Sequence, residues 1–197
     1  MRTTKQTKLR EEIKKGHFRV TIFGSARAKP GDSTYKQIHL LGKLLGERGI
    51  DIVTGGGPGV MEAASKGHKE GKKKSGKKAD TIGLNIKLPM GQDTNKSIDV
   101  VKEFEHFSER LDNFMLLSNA VVVAGGGVGT LLEFFYTWQL VQVKQICNIP
   151  IILLDGMWPD LVKWLEKHPL KNKFISDRDL HMIFLAKDCN EAIKMIE

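Results

Sequence analysis

Short apolar runs recur along the chain, separated by longer stretches in which apolar residues return every three or four positions. The runs FRVTIF (18–23), IDIVT (50–54), TIGLNI (81–86), AVVVA (120–124), PIILL (150–154) and MIFLA (182–186) predict six strands. Helical spacing falls between most of them, at about 33–48, 58–70, 107–118, 129–143 and 157–167, with a last helix from about 189. The strands are continuously rather than alternately apolar, which suits strands buried on both faces, and β-α alternation builds parallel sheets. The expectation is an α/β fold, a Rossmann-like, mostly parallel sheet with helices on both faces. Residues 17–197 form a single domain in this reading, and 1–16 a charged N-terminal arm or helix.

Composition narrows the class. A chain of 197 residues, 41% hydrophobic, suits one core. No apolar stretch reaches the roughly 18 residues of a membrane span, and no charged-then-apolar leader is visible, so a cytoplasmic protein without membrane contact is expected. Cys147 and Cys189 stand outside any C-x-x-C pattern and read as reduced thiols, while the six histidines show no metal-ligand spacing. The net charge of +8 is mostly local, because seven lysines against Glu70 between Lys66 and Lys78 contribute +6. That run has no interleaved aromatic residue on which a base could stack and reads as a solvated surface loop, so a nucleic-acid partner is not expected. Within it, GKKKSGK (71–77) imitates a P-loop, but Lys78 stands where a magnesium-binding hydroxyl belongs and no strand precedes it.

Two glycine-rich segments carry the chemistry. GGGPGVMEA (55–63) and GGGVGTLLE (125–133) each follow an apolar run and each lead into a helical pattern. Glycine weakens strands and helices alike, so its concentration at two strand-to-helix turns points to backbone approaching a ligand closely. Amides at such a turn, with the positive end of the helix dipole behind them, form a seat for an anion such as phosphate. GSAR (24–27) offers a third turn with a glycine, a hydroxyl and a cation. Neither glycine triplet matches G-x-G-x-x-G, because Val60 and Thr130 occupy the last glycine positions, which disfavours a nicotinamide enzyme.

Two polar residues fall in apolar surroundings. Residues 130–143 are apolar on nearly every side, predicting a largely buried helix, yet Thr130, Glu133 and Thr137 share one stripe. A capping box from Thr130 to Glu133 is the structural alternative, but it leaves the four glycines at 125, 126, 127 and 129 unexplained. On the helix at 107–118, Arg110 falls inside the arc of Phe107, Leu111, Phe114, Met115 and Leu117. A guanidinium there needs an anion, either a neighbour such as Glu109 or Asp112, a ligand phosphate, or Glu133.

With GSAR at 24–27, TGGGPGVMEAASKG at 54–67, SERLDNFM around Arg110 and GGGVGTLLE at 125–133, the chain resembles the LONELY GUY-type nucleoside 5′-monophosphate phosphoribohydrolases, also labelled lysine decarboxylase-like. The likeness runs from about Arg19 to Trp164, and the last segment corresponds to the signature P-G-G-x-G-T-x-x-E. It implies a nucleotide-binding domain, usually dimeric, that splits a nucleoside 5′-monophosphate, AMP or a cytokinin type, into free base and ribose 5-phosphate. Arg110 and Glu133 match the catalytic pair. Substrate contacts are expected at Gly24, Ser25, Arg27, Thr54, Gly55, Gly56, Gly57, Gly59, Met61, Gly126, Gly127, Val128, Gly129 and Thr130. The partners implied are a small-molecule nucleotide and a second copy of the chain, with no cofactor and no metal. Some relatives on this scaffold bind or carry a molybdenum cofactor without hydrolysis, which is the alternative. The chain departs from the family in three places: Gly125 replaces the signature proline, Leu111 the lysine that commonly follows the arginine, and residues 72–78 lengthen a connection.

The residue types suit the reaction independently. Breaking an N-glycosidic bond develops positive charge on the ribose, which a carboxylate such as Glu133 opposes while orienting water. Arg110 fixes the phosphate or assists departure of the base, and the amides of Gly126 to Thr130 hold the 5′-phosphate.

Overall fold

Seven parallel strands form one sheet in the computed structural model, which describes residues 16–87, 94–154 and 156–197. Most of the expected N-terminal arm lies outside the described residues. In chain order the elements are β1 (Arg19–Phe23), α1 (Ser33–Arg48), β2 (Asp51–Thr54), α2 (Val60–Ser75), β3 (Thr81–Ile86), β4 (Val100–Phe104), α3 (Phe107–Leu117), β5 (Ala120–Ala124), α4 (Val128–Gln142), β6 (Ile151–Leu154), α5 (Trp158–Leu165), α6 (Asp177–Leu180), β7 (Ile183–Ala186) and α7 (Cys189–Ile196). The strands lie in the order β4-β3-β2-β1-β5-β6-β7, every neighbouring pair parallel.

The period of two along each strand divides the core between the two faces. On β5, Ala120, Val122 and Ala124 join a core made with α1, α2 and α7, whereas Val121 and Val123 join one made with α3, α4 and α5. Each buried Val, Leu or Ile in them stabilises the fold by about 1.5–3 kcal/mol. Among the described residues no helix is long and apolar enough to cross a membrane.

Three expectations change. A seventh strand, β4, is present although VVKEF shows no continuous apolar run; it lies at the sheet edge, where Lys102 and Glu103 reach solvent and only Phe104 is fully buried. The lysine-rich segment is not one loop. Lys66, Lys69 and Lys72 to Lys74 continue α2 to Ser75, and only Lys77 and Lys78 follow it. Glycines make this possible: Gly42 and Gly46 of α1 face the carbonyls of Ala64 and His68, while Gly67 and Gly71 of α2 face those of His39 and Lys43. A methyl group at any of the four would overlap a carbonyl oxygen, so the two helices pack backbone against backbone and the lysines project from a supported helix. The P-loop imitation therefore lies largely within α2. Finally, α4 is buried on one side only. Thr130, Phe134, Thr137, Trp138 and Val141 face the core, while Val128, Leu132, Phe135 and Val143 form a stripe that the other described residues leave exposed.

Candidate active site

From β1 the chain builds outward to β4 on one side, then returns to place β5 on the other side of β1. Where strand order reverses, the loops at the carboxyl ends part and leave a crevice. Three loops meet there and are tied by backbone. The Ser25 amide donates to the Gly125 carbonyl at 3.1 Å, and the Val60 amide donates to the Ser25 carbonyl at 2.9 Å. Gly59, at φ +68°, turns the chain between those contacts, and a side chain there would run into Ser25 and Ala26.

The crevice is a cavity of about 410 Å³. Of the residues expected from sequence, Gly24, Ser25, Arg27, Gly55, Met61, Arg110, Gly127, Val128, Gly129, Thr130 and Glu133 line it. Thr54, Gly56, Gly57, Gly59 and Gly126 do not; they stand behind its wall. Thr54 Oγ1 accepts from the Gly56 amide at 3.1 Å, and the side-chain amide of Asn95 donates to the carbonyls of Gly56 and Gly57 at 3.2 and 3.1 Å. The Gly126 amide points at Met157 Sδ, 3.4 Å away. Ile22, Phe23, Ala26, Ile86 and Phe107 also line the cavity and were not singled out from sequence. Phe107 belongs by its spacing to the apolar arc of its helix; its exposure, 52%, is decided by the tertiary arrangement.

Arg110 is 7% exposed, as its place on a core-facing arc requires. Its Nε donates to the Leu84 carbonyl at 2.7 Å, its Nη1 to Glu133 Oε1 at 3.4 Å, and its guanidinium lies 5.0 Å from the centre of the Phe114 ring. Neither Glu109 nor Asp112 is its partner; Asp112 accepts from the Tyr136 hydroxyl. Gly55 leaves the room the guanidinium occupies just beyond β2, because a methyl group there would overlap Arg110 Nη2 and stand 2.7 Å from Met61 Sδ. Burial draws the Arg110 pKa down, opposed by the charge of Glu133.

Glu133 carries the larger perturbation. Burial pushes its carboxyl up from an ordinary 4.5 to about 7, and the attraction of Arg110 offsets only part of that. The capping-box alternative does not hold. Gly127 is the N-cap of α4, Thr130 sits inside the first turn and is 4% exposed, and the Glu133 side chain is turned to Arg110. The polar seam separates into two uses: the Thr137 hydroxyl bonds back to the Glu133 carbonyl at 2.8 Å, leaving the carboxyl as the group that faces the cavity. A carboxylic acid whose pKa burial raises toward neutrality, beside a fixed cation, is suited to exchanging a proton with water or ligand.

The N-terminus of α4 also lines the cavity, in an arrangement able to hold an anion. Among the described residues, no carbonyl or side chain accepts a hydrogen bond from the amides of Gly127, Val128, Gly129 and Thr130. They begin a 15-residue helix, so the dipole reinforces them, and Gly127 to Gly129 are exposed to the cavity mouth. No group of three or more His, Cys, Asp or Glu able to hold a metal occurs among the described residues.

A family model described as possible lysine decarboxylase matches residues 61–196. A probable cytokinin riboside 5′-monophosphate phosphoribohydrolase of Oryza sativa subsp. japonica, LOGL6, is 30% identical over 185 residues, covering 91% of this chain and 70% of that one. The chain belongs to the LOG family. Cytokinin riboside 5′-monophosphate phosphoribohydrolase LOG7 of Arabidopsis thaliana, another relative of this LOG-family chain, is 26% identical over 191 residues, covering 95% of this chain and 84% of that one. Among solved structures, the molybdenum cofactor binding protein of Rippkaea orientalis superposes with a TM-score of 0.67 at 22% identity, covering 91% of this chain and 95% of that one, which is a likeness of fold. Arg110, Glu133 and the anion seat all lie within the matched segment.

Proposed function

We infer that this LOG-family protein hydrolyses the N-glycosidic bond of a nucleoside 5′-monophosphate, releasing free base and ribose 5-phosphate. The observation that carries the reading is the pairing, in one cavity, of an uncommitted row of helix N-terminal amides with a carboxyl group whose pKa stands at about 7. The amides of Gly127 to Thr130 hold the 5′-phosphate, and that binding energy orients the ribose over Glu133, one turn along α4. As the C1′–N bond breaks, its electron pair leaves with the base, which takes up a proton from solvent, to which Glu133 returns the one it gains. Glu133, ionised, opposes the positive charge developing on the sugar and accepts a proton from the water that adds to C1′. Arg110, fixed by Leu84, Glu133 and Phe114, keeps the carboxylate in place and presents positive charge toward the departing base. The names of the curated relatives support the same bond and substrate class.

A carrier of a phosphorylated cofactor would use the same anion seat, as the likeness to the molybdenum cofactor binding protein suggests. Such a carrier has no use for a carboxyl tuned to neutrality, so the hydrolytic reading is preferred. The exposed stripe of Val128, Leu132, Phe135 and Val143 supports a homodimer that covers α4. Incubation of the purified protein with AMP and a cytokinin riboside monophosphate, with ribose 5-phosphate as the measured product, tests the function. Release by the wild-type chain and a loss of about a thousandfold in Glu133→Ala, with AMP affinity changed only a few-fold, are expected. Tight binding of monophosphates without any release would select the carrier.

A further inference from the structure

Resting on the nucleotide reading, we propose that Phe107 is the platform on which the base stacks, so that the protein selects a planar aromatic ring by its face. Strand order sets the direction in which a nucleotide lies. The anion seat follows β5, whereas Ile86 ends β3 and Phe107 opens α3 directly after β4. Three strand spacings separate β5 from β3, about 14 Å, and Arg110 spans the interval, bonded to Leu84 of β3 and to Glu133 of α4. A monophosphate seated on Gly127 to Thr130, with its ribose at Glu133, therefore extends its base toward Phe107, Ile86 and Met61.

Phe107 is unusual among the phenylalanines of this chain. It belongs to neither apolar core, is 52% exposed, and yet lines the cavity one helical turn before Arg110 on the same face. Ile86 and Met61, both 7% exposed, supply the apolar wall beside it. Among the described lining residues the polar side chains are Ser25, Arg27, Arg110, Thr130 and Glu133, of which Arg110 and Glu133 hold one another. None is a side-chain amide of the kind that reads a base edge by paired hydrogen bonds. A ring face offers affinity to every base, since each base has a π-face.

Calorimetric binding to the full chain carrying Glu133→Gln, which stops turnover, separates the base from the rest of the substrate. AMP and ribose 5-phosphate are titrated into this protein with Phe107 intact, Phe107→Ala or Phe107→Trp. Phe107→Ala is expected to weaken AMP about tenfold, the effect of one lost base–aromatic stack, while ribose 5-phosphate changes less than twofold and Phe107→Trp keeps AMP affinity. Equal weakening of both ligands, or unchanged AMP affinity in Phe107→Ala, overturns the platform. A Phe107-dependent AMP affinity in a protein whose wild-type form releases no ribose 5-phosphate would retain the platform and remove the hydrolase. If neither ligand binds, both fall.

Discussion

The two glycine triplets look alike in sequence and do different work. Gly55 to Gly57 are buried; the Gly56 amide is taken by Thr54, the carbonyls of Gly56 and Gly57 are taken by Asn95, and Gly55 leaves room for Arg110. Gly127 and Gly129 are exposed, a Cβ at either would meet nothing within 4 Å, and residues 127 to 130 line the cavity with amides for which no described group is an acceptor. One triplet is a floor beneath a cation, and the other is the proposed seat for the phosphate. Glycine content at a strand end thus reports close approach, but whether the approaching group is a side chain of the same molecule or a ligand depends on where the amides point.

The largest effect expected concerns the carboxyl between the two. Glu133 titrates at about 7 in the folded chain against 4.5 in the unfolded one, so the native state binds the extra proton between those values. Stability should therefore decline as pH rises from 4.5 to about 7, by about 3 kcal/mol, and level off above. Urea unfolding across that range should show Glu133→Gln lacking this component; parallel pH profiles of the two proteins would show that the group is not perturbed. Over the same interval kcat/KM for AMP should rise with pH, as the ionised form is the one that acts.

Next is the seat. Gly127→Asp, whose Cβ meets nothing within 4 Å, brings a carboxylate beside the amides, and monophosphate affinity should fall about a hundredfold while the melting temperature stays within about 2 °C. An unchanged AMP dissociation constant would move the phosphate elsewhere. The floor gives the smaller and opposite signature. Gly55→Ala, colliding with Arg110 and Met61, should cost about 2 kcal/mol of stability, whereas Gly129→Ala should change stability by less than about 0.5 kcal/mol. Equal effects in chemical denaturation would erase the distinction between the triplets.

How much of this was legible beforehand depended on how local the signal was. Six strands follow from continuous apolar runs, but β4 does not, because an edge strand needs only one buried residue, Phe104, to be held by its neighbour. The lysine run looked like a loop because charge density hides helical periodicity; what supports the helix is a row of small residues facing α1, seen as a pattern only when both helices are in view. Arg110 was legible as an anomaly, a charge on a core-facing arc, although its partners, Leu84 and Glu133, lie 26 and 23 residues away. Phe107 was legible as apolar but not as exposed. Trp138, on the same helix as Glu133, is a core residue whose indole N–H donates to the Asp179 carbonyl at 2.9 Å.

The chain by itself determined the α/β class, the parallel sheet, the two glycine turns and the out-of-place Arg110 and Glu133. These are consequences of periodicity, chirality and the cost of burying charge, all of which act over a few residues. Only the tertiary structure decided which triplet offers its amides, that Glu133 is desolvated enough to titrate near neutrality, and that Phe107 faces a cavity. Those properties depend on strand order and on groups brought together from distant parts of the sequence, where local pattern carries no information about distance or solvent.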